Sequence, residues 1–403
     1  MTAPAPAAPP LLVWSDAGQT QQARWRSERA AAPPARVQLA DDSLSADAAY
    51  RAANEGTALL WRGDFHNARL LLQAMARRAD RVPRRKTRAA AAPLANAPAT
   101  DAPPTDAPGA AFHRHRQAQS QRARILALLL IPLQPDYRIP LRRAPDLRTA
   151  CTEAWGAADD LPSVVSLREL LGVVSAHEWR KKGVALAALG AAPNNRIHAH
   201  YGVFSPVRGE YVDLVAQTAL PASQPLNAFD IGTGSGVLAA VLARRGVQHI
   251  VATDQDPRAL ACALENLQRL ELSSQVELLR ADLVPTGRAT LVLCNPPWLP
   301  ARAGSPLERA VYDEDSRMLL GFLAGLVDHL APGGEGWLIL SDLAEHLGLR
   351  TRDELLAAID GAGLQVLGRI DTRPRHPKAS DPDDALHAAR AAEVTSLWRL
   401  GVR

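Results

Sequence analysis

The chain reads as an α/β protein, with an open, mostly parallel sheet in its C-terminal half behind an α-rich N-terminal domain. Three observations predict this. An apolar strand over 226–231 ends in a glycine-rich turn, Gly232-Thr233-Gly234-Ser235-Gly236, which opens a helix over 237–244. The next apolar strand, 249–253, ends in Asp254, eighteen residues after Gly236. A third wholly apolar run, 289–294, ends in Asn295-Pro296-Pro297-Trp298. Apolar strands alternating with helical segments are the pattern of parallel sheets in α/β units.

The elements follow in chain order. Residues 1–10 are an Ala/Pro tail, and helical periodicity appears over 46–54 and again over 65–78, where Ala68, Leu71, Leu72 and Met75 share one apolar face. The Ala/Pro/Thr-rich stretch 83–111 has no periodicity and is expected to be a disordered insertion. An Arg/Gln-rich helix is expected over 114–129, then a hairpin of strands 131–133 and 137–141 around Gln134-Pro135-Asp136. Helices are expected over 147–155 and 164–189. Residues 198–206 precede a helix over 209–220 and the strand 226–231. A helix around Ala259 to Asn266 and a strand 276–279 then lead to Ala281-Asp282-Leu283. Beyond Trp298 come a helix over 316–330, a turn at Gly333-Gly334, strand 336–340, helix 352–362, strand 364–370 and a last strand 394–400. The polar loop 371–390, with Arg373, Arg375, His376 and Lys378, reads either as a solvated hairpin or as a substrate clamp. These segments group as 1–82, 83–111, 112–195 and 196–403.

Glycines are wanted at Gly232, Gly234 and Gly236 because the chain must turn tightly and bring its backbone close to a ligand. Nucleotide-binding oxidoreductases use similar turns, but this spacing is not the Gly-x-Gly-x-x-Gly of dinucleotide sites. Asp254, at the carboxyl end of its strand, is placed to accept hydrogen bonds from both hydroxyls of a ribose. At Asn295-Pro296-Pro297-Trp298 the prolines fix φ and donate no N–H, leaving a stiff loop with free carbonyls. The Asn295 oxygen and the Pro296 carbonyl could grip the N–H bonds of a planar NH2 group. Such a nitrogen is a poor nucleophile until its lone pair is turned out of the plane, and preorganised acceptors do this by position and electrostatics. Trp298 would stack on the target plane. An NAD-dependent oxidoreductase predicts nothing at these four positions.

A glycine-rich cofactor turn followed by a strand ending in Asn-Pro-Pro-aromatic resembles the S-adenosylmethionine-dependent methyltransferases that modify planar NH2 groups. These are the amino-methyltransferases of adenine and guanine bases and the HemK-like glutamine methyltransferases. The resemblance spans about residues 198–403 and implies a seven-stranded Rossmann-like methyltransferase sheet, six strands parallel and the last antiparallel. It implies S-adenosyl-L-methionine as cofactor, held by Asp230, Gly232, Thr233, Gly234, Gly236, Asp254, Asp282 and Asn295. Within that set Asp230 would fix the methionine portion and Asp282 would bond the adenine amino group. Asn295, Pro296, Pro297 and Trp298 would be the catalytic residues. Relatives more often carry Tyr or Phe where this chain has Trp298, which leaves the pocket's size open. The lead-in from His198 would cover the cofactor and help shape the substrate pocket, with Tyr201, Phe204 and Arg208 as substrate contacts, or with the two aromatics as core packing instead.

Composition bounds the rest. The isolated cysteines Cys151, Cys262 and Cys294, with no Cys-x-x-Cys, suggest a reducing cytoplasm and no structural metal site. Cys294 beside Asn295 is expected to be a small buried residue and not a nucleophile. The lack of a leader or of an eighteen-residue apolar stretch suggests a soluble protein without a membrane partner. The 42 arginines against 4 lysines, with abundant alanine, hint at a GC-rich bacterial genome. Residues 1–200 carry 27 basic and 17 acidic side chains, whereas 201–403 carry 19 and 25. Most of the excess lies in 51–150, with 18 basic against 7 acidic, which suggests RNA as partner or, equally, a solvated linker. The favoured expectation is therefore methylation of a base in ribosomal or transfer RNA. The alternative is the glutamine amide of a translation-related protein. A non-catalytic cofactor- or RNA-binding protein would have no need of Asn295 to Trp298.

Overall fold

The computed structural model describes residues 9–80, 108–223, 225–305, 307–375, 381 and 384–403. The chain divides into two compact units. The first holds the described residues up to Thr152 together with Gly156–Gly172, and the second holds Glu153–Trp155 and Val173–Arg403. The division falls inside a helix, where no shift of composition marks it, and not at 195/196 as the sequence suggested.

In the first unit helices flank a six-stranded sheet that was not expected. The elements are β1 (Leu11–Asp16), β2 (Gln19–Arg26), β3 (Arg36–Ala40), α1 (Ala46–Asn54), β4 (Thr57–Trp61), α2 (Phe65–Ala79), α3 (Pro108–Leu126), β5 (Leu129–Leu133), α4 (Arg148–Trp155), β6 (Ser163–Ser166) and α5 (Leu167–Lys182), of which the last three residues of α4 and the part of α5 from Val173 belong to the second unit. The sheet order is β1-β2-β6-β5-β4-β3. β4 and β5 pair parallel and are nearly continuous apolar runs, as strands buried on both faces must be. Such runs, four to six residues long, cannot be told from buried helix by periodicity. Two expectations are corrected here. β5 has no hairpin partner at 137–141; after a turn closed by the Tyr137 N–H on the Gln134 carbonyl, it pairs antiparallel with β6. The helix expected over 164–189 is β6 followed by α5, which stops where Gly183 turns to φ +64°. Of the insertion expected over 83–111, residues up to 107 lie outside the described residues; from Pro108 the chain is already helical.

The second unit continues with β7 (Val184–Ala185), β8 (Arg196–Ile197), α6 (Glu210–Gln217), β9 (Asn227–Ile231), α7 (Val237–Arg244), β10 (His249–Asp254), α8 (Pro257–Arg269), β11 (Val276–Arg280), β12 (Ala289–Cys294), α9 (Arg317–His329), β13 (Leu330–Ser341), α10 (Leu343–His346), α11 (Arg352–Gly361), β14 (Leu364–Thr372), α12 (His387–Ala392) and β15 (Thr395–Val402). Its sheet has seven strands in the order β11-β10-β9-β12-β13-β15-β14, and β15 runs antiparallel between its neighbours, as expected. One face packs Leu238, Val241, Leu293 and Ile339, the other Ile231, Val292, Phe322 and Leu338, so both sides are covered. Gly333-Gly334 is a correction: the pair makes a bulge inside β13, between the Ala289–Leu330 and Leu291–Glu335 pairings, and not a turn before the strand.

The strand order reverses at β9, which has β10 on one side and β12 on the other. Ile231 pairs with Thr253 and with Cys294, so the carboxyl ends of the three strands lie side by side. Open α/β sheets bind ligands in the crevice at such a reversal. Among the described residues no helix is long and apolar enough to cross a membrane.

Candidate active site

A cavity of about 530 Å³ opens at the reversal in the second unit. Its wall includes Gly232, Thr233 and Gly234 after β9, Asp254 at the end of β10, Asp282 beyond β11, and Asn295, Pro296, Pro297 and Trp298 after β12. Phe204 and Arg208 of the lead-in line it as well. The sequence therefore named residues from four strand ends and one loop that the fold brings to a single hollow.

The turn is built by its own backbone needs. Gly232, Gly234 and Gly236 have φ of +72°, +55° and +79°, a region L side chains rarely adopt. At Gly236 a Cβ would also stand 3.0 Å from that of Ala263 on α8, so the helix opening the turn could not pack as it does. The Thr233 N–H donates to the Thr253 carbonyl at 2.8 Å, which ties the turn to β10. Asp230 and Gly236 do not open onto the cavity. Asp230, expected at the cofactor's methionine portion, is 1 % exposed and lies beneath the turn. There it accepts from the Thr233 hydroxyl at 2.6 Å and the Ala239 N–H at 3.1 Å. Burial pushes its carboxyl up to about 6. Tyr201 likewise is not part of the wall, unlike its neighbour Gly202.

Asp254 is directed by two backbone donors, the N–H of Gly234 at 3.0 Å and of Asp256 at 2.9 Å. Burial raises its pKa, and those hydrogen bonds work the other way. Asp282 is half exposed and bonded to the Arg317 guanidinium at 2.5 Å. Next to it Leu283 has φ +75°, a strained conformation for a residue with a Cβ, and its carbonyl accepts from Thr253 Oγ1 at 2.7 Å.

The tetrapeptide carries a contact the sequence did not suggest. Trp298 Nε1 donates to Asn295 Oδ1 at 3.0 Å, and the indole packs against the apolar clusters on both faces of the sheet. A carbonyl oxygen has two lone pairs, so Asn295 keeps one for a ligand while the other fixes its orientation. Cys294, fully buried, has its thiol raised well above the ordinary value by burial; a thiolate nucleophile is absent there.

Sequence reasoning missed the part of the wall made by Arg309, Tyr312, Arg317, Arg390 and Glu393. After Trp298 the chain loops out and returns, Leu299 bonding Val311 and Asp313, so that Tyr312 faces the tetrapeptide's side. Asp313, 9 % exposed, then caps α9 by accepting from the Met318 N–H at 3.0 Å. Nothing in the residue pattern of 299–316 marks this return, because it depends on one short bridge. Among the described residues no group of His, Cys, Asp and Glu is placed to hold a metal.

Residues 194–351 match the family described as methyltransferase small domain. The release factor glutamine methyltransferase of Cereibacter sphaeroides is 40% identical over 171 residues, 38% of this chain and 59% of that protein. The ribosomal protein L11 methyltransferase of Rhizobium rhizogenes is 35% identical over 155 residues, 38% of this chain and 47% of that protein. The chain spans about half the length of the curated relatives it matches. A methyltransferase structure from Pyrococcus furiosus is 18% identical with a TM-score of 0.39, over 57% of this chain and 98% of that one. Over this stretch the chain is similar to methyltransferases.

Proposed function

We propose that this chain transfers the methyl group of S-adenosylmethionine to a planar NH2 nitrogen, the side-chain amide of a glutamine in a protein of the translation apparatus. The observation that carries this reading is Asn295-Pro296-Pro297-Trp298 in one cavity with the glycine turn and Asp254. The residues suit the cofactor: two cavity-lining glycines leave the turn's backbone open, and Asp254 presents a carboxylate already oriented by N–H donors. A relative named for glutamine methylation and others named for a ribosomal protein support a protein acceptor. The expectation of RNA rested on the charge of 51–150. There Arg78, Arg122 and Arg143 are bonded at 2.6 Å to Asp47, Asp80 and Asp64, which leaves less free positive charge than the count implies.

Bound at the turn, the cofactor supplies a methyl group activated on a sulfonium sulfur. Asp254 would accept from the ribose hydroxyls, and Asp282 would exchange Arg317 for the adenine amino group. Asn295 Oδ1 and the Pro296 carbonyl would accept the two N–H bonds of the amide and turn its lone pair toward the methyl carbon. The amide nitrogen so held would gain a bond to the methyl carbon, the displaced group leaving as a neutral thioether, and would release one of its two protons to solvent. Trp298 keeps Asn295 from rotating away during this step.

The test is to incubate the protein and S-adenosylmethionine labelled in its methyl group with bacterial lysate. Label should survive nuclease, disappear from the macromolecular fraction with protease, and be released as methylamine by acid hydrolysis, since an N-methyl amide hydrolyses to that amine. Label in RNA, or in an acid-stable methylated amino acid, overturns the amide.

A further inference from the structure

Arg208 lines the cavity and belongs to neither the turn nor the tetrapeptide. It sits just before α6, whose Tyr211 also lines the cavity and which packs in one cluster with α7, the helix that opens from the glycine turn. Its guanidinium is half-buried, desolvation presses its pKa down, and it makes no hydrogen bond among the described residues. The other arginines of the wall differ. Arg317 is bonded to Asp282, Arg390 is paired with Asp384 at 2.8 Å, and Arg309 is exposed. A desolvated guanidinium with all its donors idle is costly unless an acceptor arrives.

The acidic group that attracts it most does not fill that role. Glu393 is 1 % exposed and attracts Arg208 without bonding it. Its Oε1 accepts from Ser341 Oγ at 2.7 Å, and its Oε2 has no partner among the described residues. Paired hydrogen bonds between Asp342 and Val394 hold its backbone, at 2.7 Å and 3.0 Å. Glu393, which also lines the cavity, therefore attracts Arg208 without taking up its donors.

We propose that Arg208 binds the carboxylate of the amino-acid end of the cofactor, with Glu393 as its positioning residue. This rests on the cofactor reading given above. A neutral amide acceptor brings no charge to match a desolvated guanidinium, whereas a methionine tail brings a permanent carboxylate. With the ribose at Asp254 and the methyl directed at Asn295, that tail would extend from the sulfur along the same cavity wall, to which the segment just before α6 contributes Arg208. A fork of N–H donors fits a carboxylate two-pronged.

Calorimetry with two probes tests this. S-adenosylhomocysteine has the amino-acid end; 5′-methylthioadenosine has the same nucleoside thioether without it. Arg208→Ala should weaken S-adenosylhomocysteine by about tenfold to a hundredfold, the range for hydrogen bonds to a charged group, and leave 5′-methylthioadenosine within about twofold. Arg208→Lys should fall between wild type and alanine, and Glu393→Gln should weaken only S-adenosylhomocysteine. Equal losses for both probes in Arg208→Ala, or no loss for either, overturn the assignment. A wild-type protein that binds neither probe would instead sink the cofactor reading itself.

Discussion

Asp254 is held so that its carboxylate faces the cavity with two backbone donors already engaged, and that makes it the residue on which nucleoside affinity should turn. Asp254→Ala removes two hydrogen bonds to a charged acceptor, each worth about 1.5–3 kcal/mol, and also frees the N–H of Gly234 and Asp256. Binding of S-adenosylhomocysteine, measured by calorimetry, should fall by at least about tenfold. Affinity equal to wild type would show that the ribose lies elsewhere. Asn295 is expected to behave in the opposite way. Asn295→Ala should leave cofactor affinity nearly intact and cut labelling of the acceptor by about a hundredfold or more, the scale for one preorganised polar group. Wild-type labelling would make the tetrapeptide structural. Asp230 adds a pH signature. Its folded pKa of about 6 lies above the ordinary 3.8, so the folded state holds this proton more tightly than the unfolded chain. Its contribution to stability is therefore complete below about pH 4 and is lost as pH rises through about 6, by about 3 kcal/mol. Asp230→Asn should flatten that part of the stability curve. A difference between the two proteins that stays constant from pH 4 to 7 would show that Asp230 is not protonated in this range.

At the scale of elements, the lead-in is pinned by Asn266 of α8. Asn266 is 1 % exposed; its Oδ1 accepts from the His198 N–H at 2.8 Å, and its Nδ2 donates to the Ser235 carbonyl at 3.0 Å. One side chain thus joins lead-in, glycine turn and helix. His200 adds a bond at 2.6 Å to Glu265; burial would raise that carboxyl, but Arg269, His200 and Arg180 outweigh it and hold it at about 2. Asn266→Ala strands a buried N–H and a buried carbonyl, at about 1–3 kcal/mol each. Thermal unfolding should shift down, and S-adenosylhomocysteine should bind more weakly although no cofactor contact is removed. An unchanged affinity would mean the turn stands without the lead-in. The same elements show what was legible. β9, α7, β10 and β12 announced themselves because buried parallel strands are apolar throughout and are bounded here by glycine, aspartate or proline. β6, with only Ser163–Ser166, and β2, whose Gln19-Thr20-Gln21-Gln22 looks solvated, carry no such signal and exist because neighbouring strands pair with them. The tetrapeptide and turn were readable as local chemistry. The idle guanidinium of Arg208, the buried Glu393 and the Trp298–Asn295 bond are tertiary facts that no spacing encodes.

At the scale of the whole chain, charge decides between acceptors. Residues 201–403, which hold the candidate catalytic groups, carry 19 basic and 25 acidic side chains, a net negative balance that disfavours a polyanion. The compensating excess lies in 51–150, but there Arg78, Arg122, Arg143 and Arg148 are committed to aspartates at 2.6 Å, and Arg84, Arg85 and Lys86 lie outside the described residues. A side chain already paired with a carboxylate neutralises no phosphate without first breaking that pair. RNA association should therefore be weak and shallow in salt. Titrating a fluorescently labelled RNA oligonucleotide with the full chain between about 50 and 200 mM salt should give a log–log slope smaller in magnitude than about 3, because each neutralised phosphate adds somewhat less than one. A slope of about −6 or steeper would mean that the arginines open their ion pairs for phosphate, and it would return an RNA base to the place proposed here for a protein glutamine.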